Sequence, residues 1–111
     1  MQKKKMLEKE KKKKIVNPVL AKVTYELLVD RLRHCPKKLS MKASGANGAK
    51  VVYVDIERQN EKFKATIRYS NGREKTYEEC YYDIIRFVAE ELGSNIKPEE
   101  QWKIEYINCV E

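Results

Sequence analysis

The stretch VVYVDIERQNEKFKATIRYSNGREKT, Val51 to Thr76, decides the fold. Val52, Val54 and Ile56 alternate with Tyr53, Asp55 and Glu57, the period-two pattern of a strand with one buried face. After a turn at Gln59-Asn60, Phe63, Ala65, Ile67 and Tyr69 alternate with Lys62, Lys64, Thr66 and Arg68. Asn71-Gly72 then joins this second strand to a third, because both residues tolerate positive φ in a tight hairpin. The third strand, Arg73 to about Thr76, is short and polar, as befits an edge. A three-stranded antiparallel meander is the expectation.

Upstream, Asn17-Pro18 marks a helix start: Asn is a favoured cap, and Pro costs nothing at the first helical position. Val19, Leu20, Val23, Leu27 and Leu28 recur at helical spacing, and Pro36 sets the end near His34. Residues 37–50, with Ser40, Ser44, Gly45, Asn47 and Gly48, read as a flexible connector. Downstream, Thr76 and Glu79 fit a capping box. Tyr77, Tyr81, Ile84, Val88 and Leu92 form the buried stripe of a second helix, closed by Gly93. Trp102, Ile104, Tyr106, Asn108 and Val110 alternate along a last strand. The expected architecture is α+β: helix, three-stranded meander, helix, C-terminal strand. Residues 17–111 make one domain, and residues 1–16 are a Lys-rich arm, coil or frayed helix.

Over residues 18–92 the order helix–strand–strand–strand–helix resembles that of a double-stranded RNA-binding domain. That family's second helix opens with a basic cluster that grips phosphates. The matching segment here, Thr76-Tyr77-Glu78-Glu79-Cys80, is acidic. The resemblance therefore implies an element order and transfers none of the family's binding residues.

Charge is unevenly spread. The chain carries a formal +7, and its first 14 residues set Lys3, Lys4, Lys5, Lys9, Lys11, Lys12, Lys13 and Lys14 against Glu8 and Glu10, a net +6. Residues 15–75 hold 13 basic and 6 acidic side chains, a net +7; residues 76–111 hold 3 and 9, a net −6. Such an arm is denser in lysine than solubility requires, and its chemistry suits phosphate contact with counterion release. Lysine supplies point charge rather than forked base recognition, so this contact is not sequence-specific.

A second basic element is the ladder Lys62, Lys64, Arg68, Arg73 and Lys75, with Tyr53 nearby in sequence; strand alternation places Lys62, Lys64 and Arg68 on one face. Cations beside an aromatic suit single-stranded nucleic acid; cross-strand pairing with Asp55 and Glu57 is the competing account. Arg31, Arg33, Lys37 and Lys38 close the first helix, where cations oppose the negative end of its dipole. Glu78, Glu79, Asp83, Glu90 and Glu91 make the second helix acidic and offer a surface for a basic protein groove. Tyr69 and Tyr81 fall on core stripes, whereas Tyr82 and Tyr106 would mark an interface if exposed.

Chemistry is harder to find. His34 and Cys35 are adjacent, so on a helix they point about 100° apart and do not form a nucleophile–base pair. The Gly-rich segment from Ser44 to Lys50 lacks the strand-to-helix setting and spacing of a phosphate loop. Cys35, Cys80 and Cys109 are odd in number and match no zinc or redox spacing, which suggests reduced thiols in a cytoplasmic protein. No metal or cofactor is expected, nor a membrane partner, since no apolar run reaches the length of a span. The sequence thus points to a non-enzymatic binding protein whose arm contacts nucleic-acid phosphate. The alternative is an inhibitor or adaptor from a phage or mobile element, of the anti-CRISPR or anti-restriction kind, acting on a nucleoprotein machine.

Overall fold

A computed structural model describes residues 16–110 of the chain. Helix α1 (Pro18–Leu32) begins as its sequence dictates: Asn17 is extended, its side chain accepts from the Leu20 amide, and Pro18 occupies the first turn. It buries Leu20, Thr24, Leu28 and Leu32, a stripe of i, i+4 spacing, while Val19 stays exposed. Its end comes at Leu32, two residues before His34.

Four consecutive strands follow, β1 (Lys38–Gly45), β2 (Lys50–Arg58), β3 (Phe63–Tyr69) and β4 (Glu74–Glu79). Helix α2 (Tyr81–Asn95) and strand β5 (Trp102–Val110) complete the chain. The strands form one antiparallel sheet in the order β4-β3-β2-β1-β5. The expectation of a three-stranded meander is thereby corrected to four strands before the second helix. The supposed connector is β1, which lies inside the sheet between β2 and β5. Leu39, Met41 and Ala43 alternate inward from Lys38, Ser40 and Lys42, so burial of one face makes this Ser- and Lys-rich segment a strand. The element order of a double-stranded RNA-binding domain falls with that correction.

Other boundaries move for local reasons. β4 extends through Glu79, so Thr76 and Glu79 form no capping box, and Cys80 is the N-cap residue of α2. Tyr77 belongs to β4 rather than to the helix stripe, which is Ile84, Ile85, Val88, Ala89, Leu92 and Gly93. Gly93 lies inside α2, where the Asn17 amide donates to its carbonyl at 2.8 Å. The β3–β4 loop has four residues, Ser70 to Arg73, and only Gly72 has positive φ; the Asn71 side chain instead accepts from the Arg73 amide.

Both helices pack on one face of the sheet. The core between them joins Leu28, Leu32 and Leu39 to Val54, Ile56, Ile67, Ile85 and Leu92. Gly45 permits the closest approach, since a Cβ there would meet Ile96 Cγ2 at 2.7 Å. β1 passes to β2 through a left-handed turn with φ of 53° at Ala46, 57° at Asn47 and 90° at Gly48. Cys35 and Cys109 form a disulfide with Cα atoms 5.2 Å apart, correcting the expectation of reduced thiols at these positions; Cys80 is free and exposed. The bond ties β5 to the link between α1 and β1, two points the sequence separates by 74 residues. Among the described residues no helix is long and apolar enough to cross a membrane.

Candidate nucleic-acid interface

The sheet face opposite the helices carries no layer among the described residues, and strand register arranges its side chains in rows. One row runs Glu74, Arg68, Tyr53, Lys42 and Tyr106 from β4 to β5. A second runs Thr76, Thr66, Asp55, Ser40 and Asn108, and a third Glu78, Lys64, Glu57, Lys38 and Val110.

The first row is the distinctive one. Tyr53 and Tyr106 are 38% and 39% exposed and flank Lys42 from either side. Lys42 Nζ lies 5.6 Å from the centre of the Tyr53 ring, a cation–π contact. Adjacent strands are about 4.8 Å apart, so the two tyrosines stand roughly 10 Å from each other. The register of β5 shifts between Lys42 and Ala43, leaving Glu105 as the extra residue of a bulge beside Tyr106. Glu105 accepts from Ser44 Oγ at 2.7 Å and lies 3.6 Å from Lys103 Nζ. The Ser44 hydrogen bond, with help from the charges of Lys103 and Lys42, outweighs the opposing effect of burial and holds its carboxyl below the usual range.

The predicted basic ladder is divided. Lys64 and Arg68 lie on the open face, while Lys62 precedes β3 and is exposed in the turn. Lys64 stands opposite Glu57, and Arg68 Nη2 is 3.5 Å from Asp55, which also accepts from Ser40 Oγ at 2.6 Å. Cross-strand pairing therefore describes part of this ladder. The open face as a whole sets Lys38, Lys42, Lys64, Arg68 and Lys103 against Asp55, Glu57, Glu74, Glu78 and Glu105. Its charges balance, so what it offers is aromatic surface edged with paired and unpaired cations.

The acidic residues assigned to the second helix are scattered. Glu78 and Glu79 belong to β4, and Asp83 is paired with Arg86 at 3.1 Å. Glu91 accepts from the Tyr69 hydroxyl at 2.5 Å, the Tyr77 hydroxyl at 3.1 Å and Lys75 Nζ at 3.1 Å. Burial alone would raise the Glu91 carboxyl, but these three donors outweigh it and hold it low. Burial and the same carboxylate push the Tyr69 and Tyr77 hydroxyls up. Of the five, Glu90 remains exposed on α2 without such a partner. Glu91 is thus a tie between helix and sheet rather than part of a surface.

The lysines of the arm, Lys3 through Lys14, lie outside the described residues. The described chain begins at Val16, packed beside Gly93 near the C-terminal end of α2. Tyr82 is 59% exposed on the helical side, away from the sheet row. His34 is exposed and Cys35 is buried in its disulfide, so the adjacent pair forms no reactive couple. No group of three or more potential metal ligands occurs among the described residues.

Sequence reading located Tyr53, Lys64 and Arg68 and marked Tyr106 as an interface residue if exposed, but it missed Lys42 and the row that joins them. Alternation in β1 carried the signal for Lys42, whereas in β5 the bulge at Glu105 breaks the alternation that would put Tyr106 on the face of Trp102 and Ile104. That β1 lies between β2 and β5 depends on non-local pairing, which alternation does not encode. No family model matches the chain, and neither a curated protein nor a solved structure matches it.

Proposed function

We propose that this protein is a non-enzymatic binder of single-stranded nucleic acid that does not read sequence. The observation that carries the reading is the row Tyr106–Lys42–Tyr53–Arg68 across an uncovered antiparallel sheet. Bases stack on tyrosine rings whatever their identity, and interleaved cations accompany the backbone. A balanced face supplies stacking rather than net attraction, so the long-range pull falls to the arm and its net +6. Lysine-rich attraction of this kind weakens steeply with salt.

The alternative of a protein-directed inhibitor would need the acidic residues to share a surface, and their dispersal gives that reading less support. A cytoplasmic setting remains the expectation from cysteine spacing. The Cys35–Cys109 bond pulls the other way, because reducing compartments rarely keep disulfides; counting free thiols on protein taken from cells decides between them.

The functional test is fluorescence anisotropy of a labelled oligothymidylate with the full chain. Tyr53→Ala and Tyr106→Ala should each weaken binding by about 1–3 kcal/mol, the worth of one stacked base. Tyr→Phe at either position should retain most of the affinity. Unchanged affinity in the double Ala variant would remove the open face from the interface.

A further inference from the structure

The C-terminal end of α1 gathers cations that the described fold does not use. Arg33, Lys37 and Lys62 are exposed and Lys38 is half-buried, and none has a carboxylate within ion-pair distance among the described residues. The α1 C-terminus accounts for some positive charge there, but its carbonyls are already served. The Leu32 carbonyl accepts from Arg58 Nη2 and from the Cys35 amide, both at 3.1 Å, the Arg31 carbonyl accepts from the His34 amide at 3.0 Å, and Arg58 Nε donates to Cys35 O just beyond the helix at 3.2 Å. Lys37 and Lys38 lie beyond the helix, and neither caps it.

Lys37 and Lys38 line a concavity of about 390 Å³ together with Pro36, Arg58, Gln59 and Val110. Among the described residues Glu57 is the one carboxylate on its wall. Arg58 is fixed by its two carbonyl contacts and by the Phe63 ring, 4.9 Å from the guanidinium carbon, so its charge stands ready in place. Gathering like charges without partners is costly, and an oxyanion seated among them removes that cost.

We infer that this concavity holds a backbone phosphate of a single strand lying along the open face. Lys37 and Lys38 would supply point charges, and Arg58 a guanidinium already held in position. Lys38 belongs to the outer row of that same face, roughly 13 Å along β1 from Lys42, so the two sites form one continuous track. The arm joins the domain at the opposite end of α1, whose 15 residues span about 22 Å. The strand would then be gripped electrostatically at both ends and stacked between them. The inference rests on the open-face reading proposed above.

Oligothymidylates of stepped length separate the two sites. Lys37→Gln/Lys38→Gln in the full chain should weaken a 16-mer about tenfold or more, and lower its salt slope by about 0.7 for the one lost phosphate contact. A 4-mer short enough to occupy the tyrosine row alone should bind both proteins equally. Lys37→Gln by itself, at an exposed site, should give about half the change in slope. An unchanged slope, or equal loss for both lengths, would overturn the inference while leaving the tyrosine row intact. If the unmutated protein binds no oligonucleotide, the open-face reading fails. Inorganic phosphate is then titrated against amide chemical shifts of residues 37–38 and 58–59. Saturable shifts would overturn the single-strand source and leave a free-phosphate site; no shifts would overturn the site altogether.

Discussion

Glu91 shows how one side chain can fasten two layers. Its carboxylate collects Tyr69, Tyr77 and Lys75, so it joins α2 to β3 and β4. Glu91→Gln should cost about 1–2 kcal/mol, because hydrogen bonds to a charged acceptor are worth more than neutral ones. The sign of its pH dependence follows from its depressed pKa. The stability it adds is present above the ordinary Glu value near 4.3 and is lost as pH falls through the lower folded value. Urea midpoints from pH 7 to pH 3 should therefore fall less steeply in the variant. Thr24 presents the opposite case: its Oγ1 is buried in α1 with no hydrogen-bond partner. Thr24→Val removes that unmet group at almost constant shape and should raise stability by about 1 kcal/mol, read from the same midpoints. Neither role was legible in sequence. Glu91 stands near the negative end of its helix, where a carboxylate is disfavoured, and the reason for its position lies on two strands that spacing does not connect to it.

At the scale of elements, the legible parts were those with strong local grammar. Asn17-Pro18 set the start of α1, and alternation set β2, β3 and β5. β1 shows the same alternation in Leu39, Met41 and Ala43, but Ser, Lys and Gly between them have the composition of a loop. Pairing with β2 and β5 on both sides outweighs that weak propensity. The start of α2 failed for a related reason: Thr76 to Glu79 could cap a helix, yet pairing with β3 keeps them extended. The cysteine spacing hid a bond because it links the end of one helix to the edge strand. Closing a 74-residue separation, Cys35–Cys109 should contribute about 4 kcal/mol on the chain-entropy estimate. Reductant, or Cys35→Ser/Cys109→Ser, should lower the urea midpoint accordingly; an unchanged midpoint would mean the bond does not form.

For the whole molecule, charge is arranged by place more than by amount. The helical side builds the core, the open sheet balances five cations with five carboxylates, and beyond the sheet the exposed Arg33 and Lys37 follow the C-terminal end of α1. Block sums along the sequence had shown a basic part and an acidic part. Folding interleaves them, through Lys75 with Glu91 and Lys50 with Glu100, and leaves Lys37 and Lys38 without an ion pair among the described residues. The central claim is that single-stranded nucleic acid lies on the open face across Tyr53, Lys42 and Tyr106. The most direct measurement is a map of backbone amide shifts in the full chain on titration with oligothymidylate. The account predicts saturable shifts concentrated in β1, β2, β3 and β5, including Tyr53 and Tyr106, with α1 and α2 little changed. Shifts confined to the arm or to the helices would contradict it.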